Sequence, residues 1–169
     1  MATGHLFRGS ALAAVGRKGE VALPPFVLGT IARGSDSRSV VVVPHETDPC
    51  ITAYDPGEGA AVDAELERRR LRGEALGEPA DAHHSRARRA FGLSETAPCD
   101  PAGRIVLPPL VRRKSRIDGL ALFVGTGTSF EIWNPQVARE AGDEALRELA
   151  EFRLSEGGRH ALQAEEERG

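Results

Sequence analysis

The sequence is poor in aromatic residues, cysteine and long apolar runs, and each shortage excludes something. Only 5% of its 169 residues are aromatic, so a core has to be assembled from Val, Leu, Ile and Ala. Two cysteines, Cys50 and Cys99, are too few for a disulfide framework, and no CxxC-type spacing pairs them into a metal motif. No stretch approaches the roughly 18 to 20 apolar residues that span a bilayer, and Met1 to Phe7 carries no signal-peptide apolar region. The expectation is a cytoplasmic protein with no membrane partner. Catalytic groupings are equally scarce. His83 and His84 are neighbours, so a helix sends them to different faces rather than to one metal. His45-Glu46 with Cys50 could form a Cys/His pair, but nothing in the sequence orients it, and a loop between strands accounts for it. Gly125-x-Gly127 lacks the third glycine and the following helix of a dinucleotide fingerprint, so it reads as a β-turn. Cys99, beside Asp100, reads as a small buried hydrophobe. The chain therefore reads as a non-enzyme, with no catalytic residue, metal, cofactor or small-molecule substrate.

What is present is unevenly distributed charge. The net charge is −3, yet residues 1–65 carry −3, residues 66–116 carry +6 and residues 117–169 carry −6. A basic middle can steer an anionic partner, because local potential rather than total charge acts on a phosphate backbone. Solvated helix faces produce the same pattern, so charge alone leaves both readings open.

An internal repeat organises the chain. Lys18-Gly19-Glu20-Val21-Ala22-Leu23-Pro24-Pro25-Phe26-Val27 aligns with Ala102-Gly103-Arg104-Ile105-Val106-Leu107-Pro108-Pro109-Leu110-Val111 at an offset of 84 residues. Phe7 matches Phe91 at that offset, and Tyr54 answers Trp133 at an offset of 79, the five-residue difference falling in a loop at Gly34 to Ser39. A unit of about 50 residues struggles to bury a core alone, so the copies should fold against each other.

Each copy has the same grammar. Val21 and Leu23, like Ile105 and Leu107, alternate as a half-buried strand does, and a Pro-Pro pair stops the strand. Short helices are predicted at Pro25–Ala32 and Pro109–Ile117, with Arg112, Arg113, Lys114 and Arg116 facing water. Val40–Val43 and Leu120–Val124 read as more buried strands, followed by a last strand at Phe130–Trp133. Between the copies, Ala60–Gly73 and Pro79–Gly92 read as an arginine-rich helical hairpin. Asn134-Pro135 caps a C-terminal helix reaching about Arg153, with Leu146, Leu149 and Phe152 as its apolar stripe and a fraying acidic tail from Ser155 to Gly169. The division is 5–56, first unit; 57–92, helical connector; 93–134, second unit; 135–169, helix and tail.

Asp100-Pro101-Ala102-Gly103-Arg104 is the one segment with recognition chemistry. A glycine turn at a strand entrance can present the Arg104 guanidinium outward while Asp100 orients it, and arginine binds guanine O6 and N7 with two hydrogen bonds. Alone, the segment equally describes a surface turn with an ion pair of under about 1 kcal/mol.

Asp100-x-x-Gly103-Arg104-Ile105-x-Leu107-Pro108, followed after about twenty residues by Phe130-Glu131-Ile132-Trp133 and set in a duplicated layout with a helical insert, resembles the MraZ family of bacterial transcriptional regulators. The specific part spans Asp100–Asn134; the first copy, from Phe7-Arg8-Gly9 to Tyr54, matches more loosely. The resemblance implies an α+β fold of two AbrB-like swapped-hairpin β-barrel units, assembled into a ring-shaped homo-oligomer. It implies a sequence-specific regulator, acting as a repressor on direct repeats in double-stranded promoter DNA upstream of a cell-division and cell-wall gene cluster, hence nucleoid-associated. Asp100, Gly103 and Arg104 would be its DNA-binding element. In the first copy Gly16 stands for the aspartate and Glu20 for the arginine, leaving Arg8, Arg17 and Lys18 as candidate phosphate contacts. That departure supports a second reading, a diverged oligomeric scaffold that has lost most DNA binding.

Overall fold

The computed structural model describes residues 5–34 and 38–168, with side chains described except at 33–34 and 157–168. The first half contributes β1 (Ser10–Ala14), β2 (Glu20–Ala22), α1 (Pro25–Gly34), β3 (Ser39–Pro44) and β4 (Ile51–Tyr54). A 3-10 turn at Pro56–Glu58 leads into α2 (Gly59–Ala75), then α3 (Ala80–Ala87), which runs on into a π-turn at Arg88–Gly92. The second half repeats the order with β5 (Glu95–Pro98), β6 (Arg104–Val106), α4 (Pro109–Ser115), β7 (Leu120–Gly125) and β8 (Phe130–Trp133), and α5 (Pro135–Ala141) and α6 (Glu144–Arg168) close the chain.

The strands form an antiparallel six-stranded sheet in the order β1-β7-β8-β4-β3-β5 and a separate two-stranded ribbon of β2 and β6. The halves interlock. β1 pairs with β7 (Ala11 opposite Phe123), β5 with β3 (Ala97 opposite Val40), β4 with β8 (Ile51 opposite Ile132) and β2 with β6 (Val21 opposite Ile105). This architecture is mixed α and β, but the pair of closed barrels implied by the resemblance is not formed. The sheet is open, with β1 and β5 as its edges, because each half lends a strand to the other instead of closing on itself.

The repeat explains the core. Val21, Leu23 and Val27 are buried beside their counterparts Ile105, Leu107 and Val111, together with Val40, Val42, Ile51, Phe123 and Phe130. β7 reads as a continuous apolar run because both its faces are covered: Ala121 and Phe123 enter this core, whereas Leu122 and Val124 enter a second one with Cys50, Trp133, Ala138 and Ala150 beneath α5 and α6. Proline at the first position starts α4, and Arg116, in the left-handed region at φ 57°, ends it two residues before the expected Ile117.

Several expectations are corrected. β1 and β5 carry no clear strand signal, being Ala-rich and, at Pro98, proline-blocked edges. Phe7 and Phe91 are not equivalent: Phe7 is buried and bridges Gly127, while Phe91 is exposed in the π-turn. The single C-terminal helix is broken at Gly142, which is extended, and Asp143 recaps it by accepting the Leu146 N–H at 2.9 Å. Instead of fraying after Ser155, α6 continues to Arg168. Phe152 lies outside the buried stripe, where Ala150 takes its place. Of the loop at Gly34 to Ser39 assigned the length difference, residues 35–37 lie outside the described residues. Among the described residues no helix is long and apolar enough to cross a membrane.

Candidate nucleic-acid interface

The ribbon of β2 and β6 begins at two turns of matching backbone. In the second, the Gly103 N–H donates to the Asp100 carbonyl at 3.0 Å and the Asp100 N–H to the Arg104 carbonyl at 2.8 Å. In the first, Gly19 donates to Gly16 at 3.0 Å and Gly16 to Glu20 at 2.9 Å. Gly19 and Gly103 have φ of +89° and +82°, a conformation that glycine reaches without a side-chain penalty. Each turn is tied to the other half, since Leu23 donates to the Gly103 carbonyl and Leu107 to the Gly19 carbonyl, both at 2.9 Å.

On this shared frame the side chains differ. Asp100 Oδ1 accepts the Arg104 main-chain N–H at 2.8 Å, and Oδ2 lies 3.9 Å from Arg104 Nε. The carboxylate thus fixes the base of the arginine while its side chain stays 57% exposed, free to meet a partner. In the first turn there is no side chain at Gly16. A Cβ built there would lie 1.7 Å from Glu20 Oε1, so the Glu20 side chain folds back over the place an aspartate would occupy.

The structure sorts the remaining basic residues. Arg17 and Lys18 are exposed on the first turn, whereas Arg8 precedes β1 at its opposite end, beside the Gly125–Gly127 turn. Arg112, expected to face water, is committed to structure: Nη1 donates to the Arg17 carbonyl at 2.9 Å, Nε to that of Ile117 at 3.2 Å and Nη2 to that of Asp118 at 3.4 Å. Arg113 and Lys114 remain exposed on α4. The repeat could have exposed Arg112, because its counterpart Leu28 supports the second turn by packing over Gly103. The basic middle is not one anion-binding face either. Arg68 pairs with Glu65, Arg69 with Glu46, Arg70 with Glu67 and Glu74, and Arg86 with Glu78. Hydrogen bonds from these arginines hold Glu46, Glu65, Glu67 and Glu78 below the usual carboxylate range.

The fold also gathers His45, Cys50 and Glu131, a grouping the sequence does not orient because Glu131 comes from the other half. His45 Nδ1 accepts the N–H groups of Thr47 and Asp48 at 3.2 and 3.0 Å, and Nε2 lies 3.6 Å from Glu131 Oε2. Trp133 Nε1 donates to Glu131 Oε1 at 2.9 Å, and burial pushes the Cys50 thiol well above its ordinary range. The cluster therefore closes the β3–β4 loop as a polar lock.

Among this chain's relatives, three are similar to it over most of its length. A protein named "Transcriptional regulator MraZ" from Saccharophagus degradans is 30% identical over 155 residues, covering 88% of this chain and 100% of the relative. Namesakes from Xanthobacter autotrophicus and Gluconacetobacter diazotrophicus are 31% identical over 143 residues (84% of this chain, 85% of the relative) and 27% identical over 144 residues (84% and 87%). No protein-family model matches the chain.

Proposed function

The chain belongs to the MraZ family, and from that premise we propose that it is a sequence-specific DNA-binding transcriptional regulator. It represses a cell-division and cell-wall gene cluster from short direct repeats of double-stranded DNA upstream. The observation that carries this reading is the turn at Asp100–Arg104, where a half-exposed guanidinium stands on a ribbon edge with its base fixed by a carboxylate. A two-stranded ribbon fits the major groove, where arginine discriminates guanine by about 1–3 kcal/mol. Asp100, Gly103 and Arg104 form the reading element, Arg17 and Lys18 are phosphate contacts on the neighbouring turn, and Arg8, at the far end of β1, is a separate phosphate contact.

We infer further that the halves are AbrB-like swapped-hairpin units, which the pairing of β1 with β7 and of β5 with β3 supports. The protein works at the nucleoid in the cytoplasm as a ring-like homo-oligomer. One arginine-bearing turn per protomer favours this, because linking several weak contacts on consecutive repeats raises avidity without any new contact. Glu20 at the first turn favours a second reading, an oligomeric scaffold that no longer binds DNA.

Fluorescence anisotropy on the DNA upstream of the protein's own gene separates them. The regulator binds in a salt-sensitive manner and loses that binding on Arg104→Ala. Equal binding by both proteins, or none by either alongside an intact oligomer in light scattering, overturns the regulator reading.

A further inference from the structure

Resting on the DNA-binding reading, we propose that Glu20 is a second base-reading group, whose carboxylate accepts a hydrogen bond from the exocyclic amino group of cytosine in the major groove. On this view the first turn has changed its base rather than lost its function, and the ribbon reads a guanine with Arg104 and a cytosine with Glu20.

The ribbon register puts both groups on one face. Val21 pairs with Ile105, and both are buried, so the residues flanking them point the other way: Glu20 opposite Val106, and Ala22 opposite Arg104. Ala22, Arg104 and Val106 are exposed, Val106 at 55%, and Glu20 is half-buried. Glu20 and Arg104 are thus diagonal neighbours, about 7–8 Å apart on an antiparallel pair. Base pairs stack about 3.4 Å apart, so that diagonal spans about two steps.

The chemistry of each position follows. Arg104 only donates, which suits guanine O6 and N7, and an ionised Glu20 only accepts. Cytosine N4 is a lone donor on its edge, whereas the adenine amino group lies beside the N7 acceptor, which repels a carboxylate. Among the described residues Glu20 has no ion pair or side-chain hydrogen bond, so its oxygens are available. Its flexible end, now over Gly16, needs only a rotation to point outward. Exposed Arg17 and Lys18, three and two residues before it, offset the repulsion between the carboxylate and the phosphates.

In vitro selection from a random-sequence duplex library, at one salt concentration, tests this. The full-length protein should enrich sites with a guanine and a cytosine at a fixed spacing of about two steps. Glu20→Ala should keep the guanine and lose the cytosine, a discrimination of about tenfold. Glu20→Gln, the same size and neutral, should turn that position to adenine, and Glu20→Arg to guanine. An unchanged consensus in Glu20→Ala, with or without a uniform gain in affinity, overturns the proposal, because the carboxylate would then only repel phosphate. A wild-type protein that enriches no consensus, or an Arg104→Ala variant that keeps it, refutes the DNA-reading ribbon itself and the proposal with it.

Discussion

The N–H of Leu107 donates to the carbonyl of Gly19 at 2.9 Å, fastening the turn of one half to the strand of the other. The same bond runs in reverse from Leu23 to Gly103. Neither turn is therefore an independent loop, and each inherits its position from the core it shares. A Cβ at residue 19 would meet the Leu107 carbonyl oxygen at 2.9 Å as well as being held at φ +89°. Gly19→Ala should cost about 2 kcal/mol, from the left-handed backbone and the crowded oxygen together. Thermal unfolding should show a midpoint lowered by roughly 4–8 °C. Gly119→Ala, with open space and no positive φ, should move it little.

Among the described residues Phe130 sits between two rings of the main core, tilted against Phe7 at 4.9 Å and stacked near Phe123 at 6.2 Å. Phe130→Ala should cost about 3–5 kcal/mol through lost burial and a cavity that three packed strands cannot close. Phe91→Ala, on an exposed ring, should stay within about 0.5 kcal/mol. Equal losses in urea unfolding would mean that the Phe91 ring is packed in a core and not exposed.

Much of this was legible because the repeat is written in residues with one structural meaning. Gly19 and Gly103 mark left-handed turns, Pro24-Pro25 and Pro108-Pro109 mark strand ends, and Val21, Ile105, Leu23 and Leu107 mark the inward face. β1 and β5 carry no such mark because their strand character comes from partners, not propensity. Ala11 and Ala97 are ordinary residues until Phe123 and Val40 lie beside them. The meeting of Cys50 with Glu131 was hidden for the same reason, since it depends on β4 pairing with β8 across the two halves. The exchange of strands is a property of pairing, which a pattern along one chain does not encode.

Arg69 clamps Glu46 through both carboxylate oxygens, at 2.9 and 2.8 Å, and so ties α2 to the loop between β3 and β4. The hydrogen bond from Arg69 lowers the Glu46 pKa. A carboxylate lowered in the folded state adds stability that is fully present above its unfolded pKa, near 4.3, and is lost as pH falls through the folded value. Both groups are partly exposed, so the gain is under about 1 kcal/mol. Hydrogen exchange of α2 amides should accelerate, relative to the core strands, as pH drops below about 4 after correction for intrinsic rates. Glu46→Gln should already show the faster exchange at neutral pH and a weaker acid dependence, the remainder coming from Glu65 and Glu67 on α2 itself.

Arg112 and Arg113 are adjacent, equally charged and opposite in role. Arg112 holds the carbonyls of Arg17, Ile117 and Asp118, so it links the end of α4 to the first turn. Hydrogen bonds from a charged donor contribute about 1.5–3 kcal/mol when geometry is good, and two of these three are longer than 3.1 Å. Arg112→Ala should therefore cost about 2 kcal/mol in urea unfolding and speed exchange in the first turn. Arg113→Ala removes only an exposed charge and should leave stability within about 0.5 kcal/mol. If Arg113 meets a phosphate, the slope of log affinity against log salt should fall by about 0.9. Arg112→Ala should instead weaken DNA binding only together with the stability it removes from the first turn, because its guanidinium is spent on the carbonyls of Arg17, Ile117 and Asp118. A loss of slope in both variants, at equal stability, would mean that Arg112 is a phosphate contact rather than the strut of the turn.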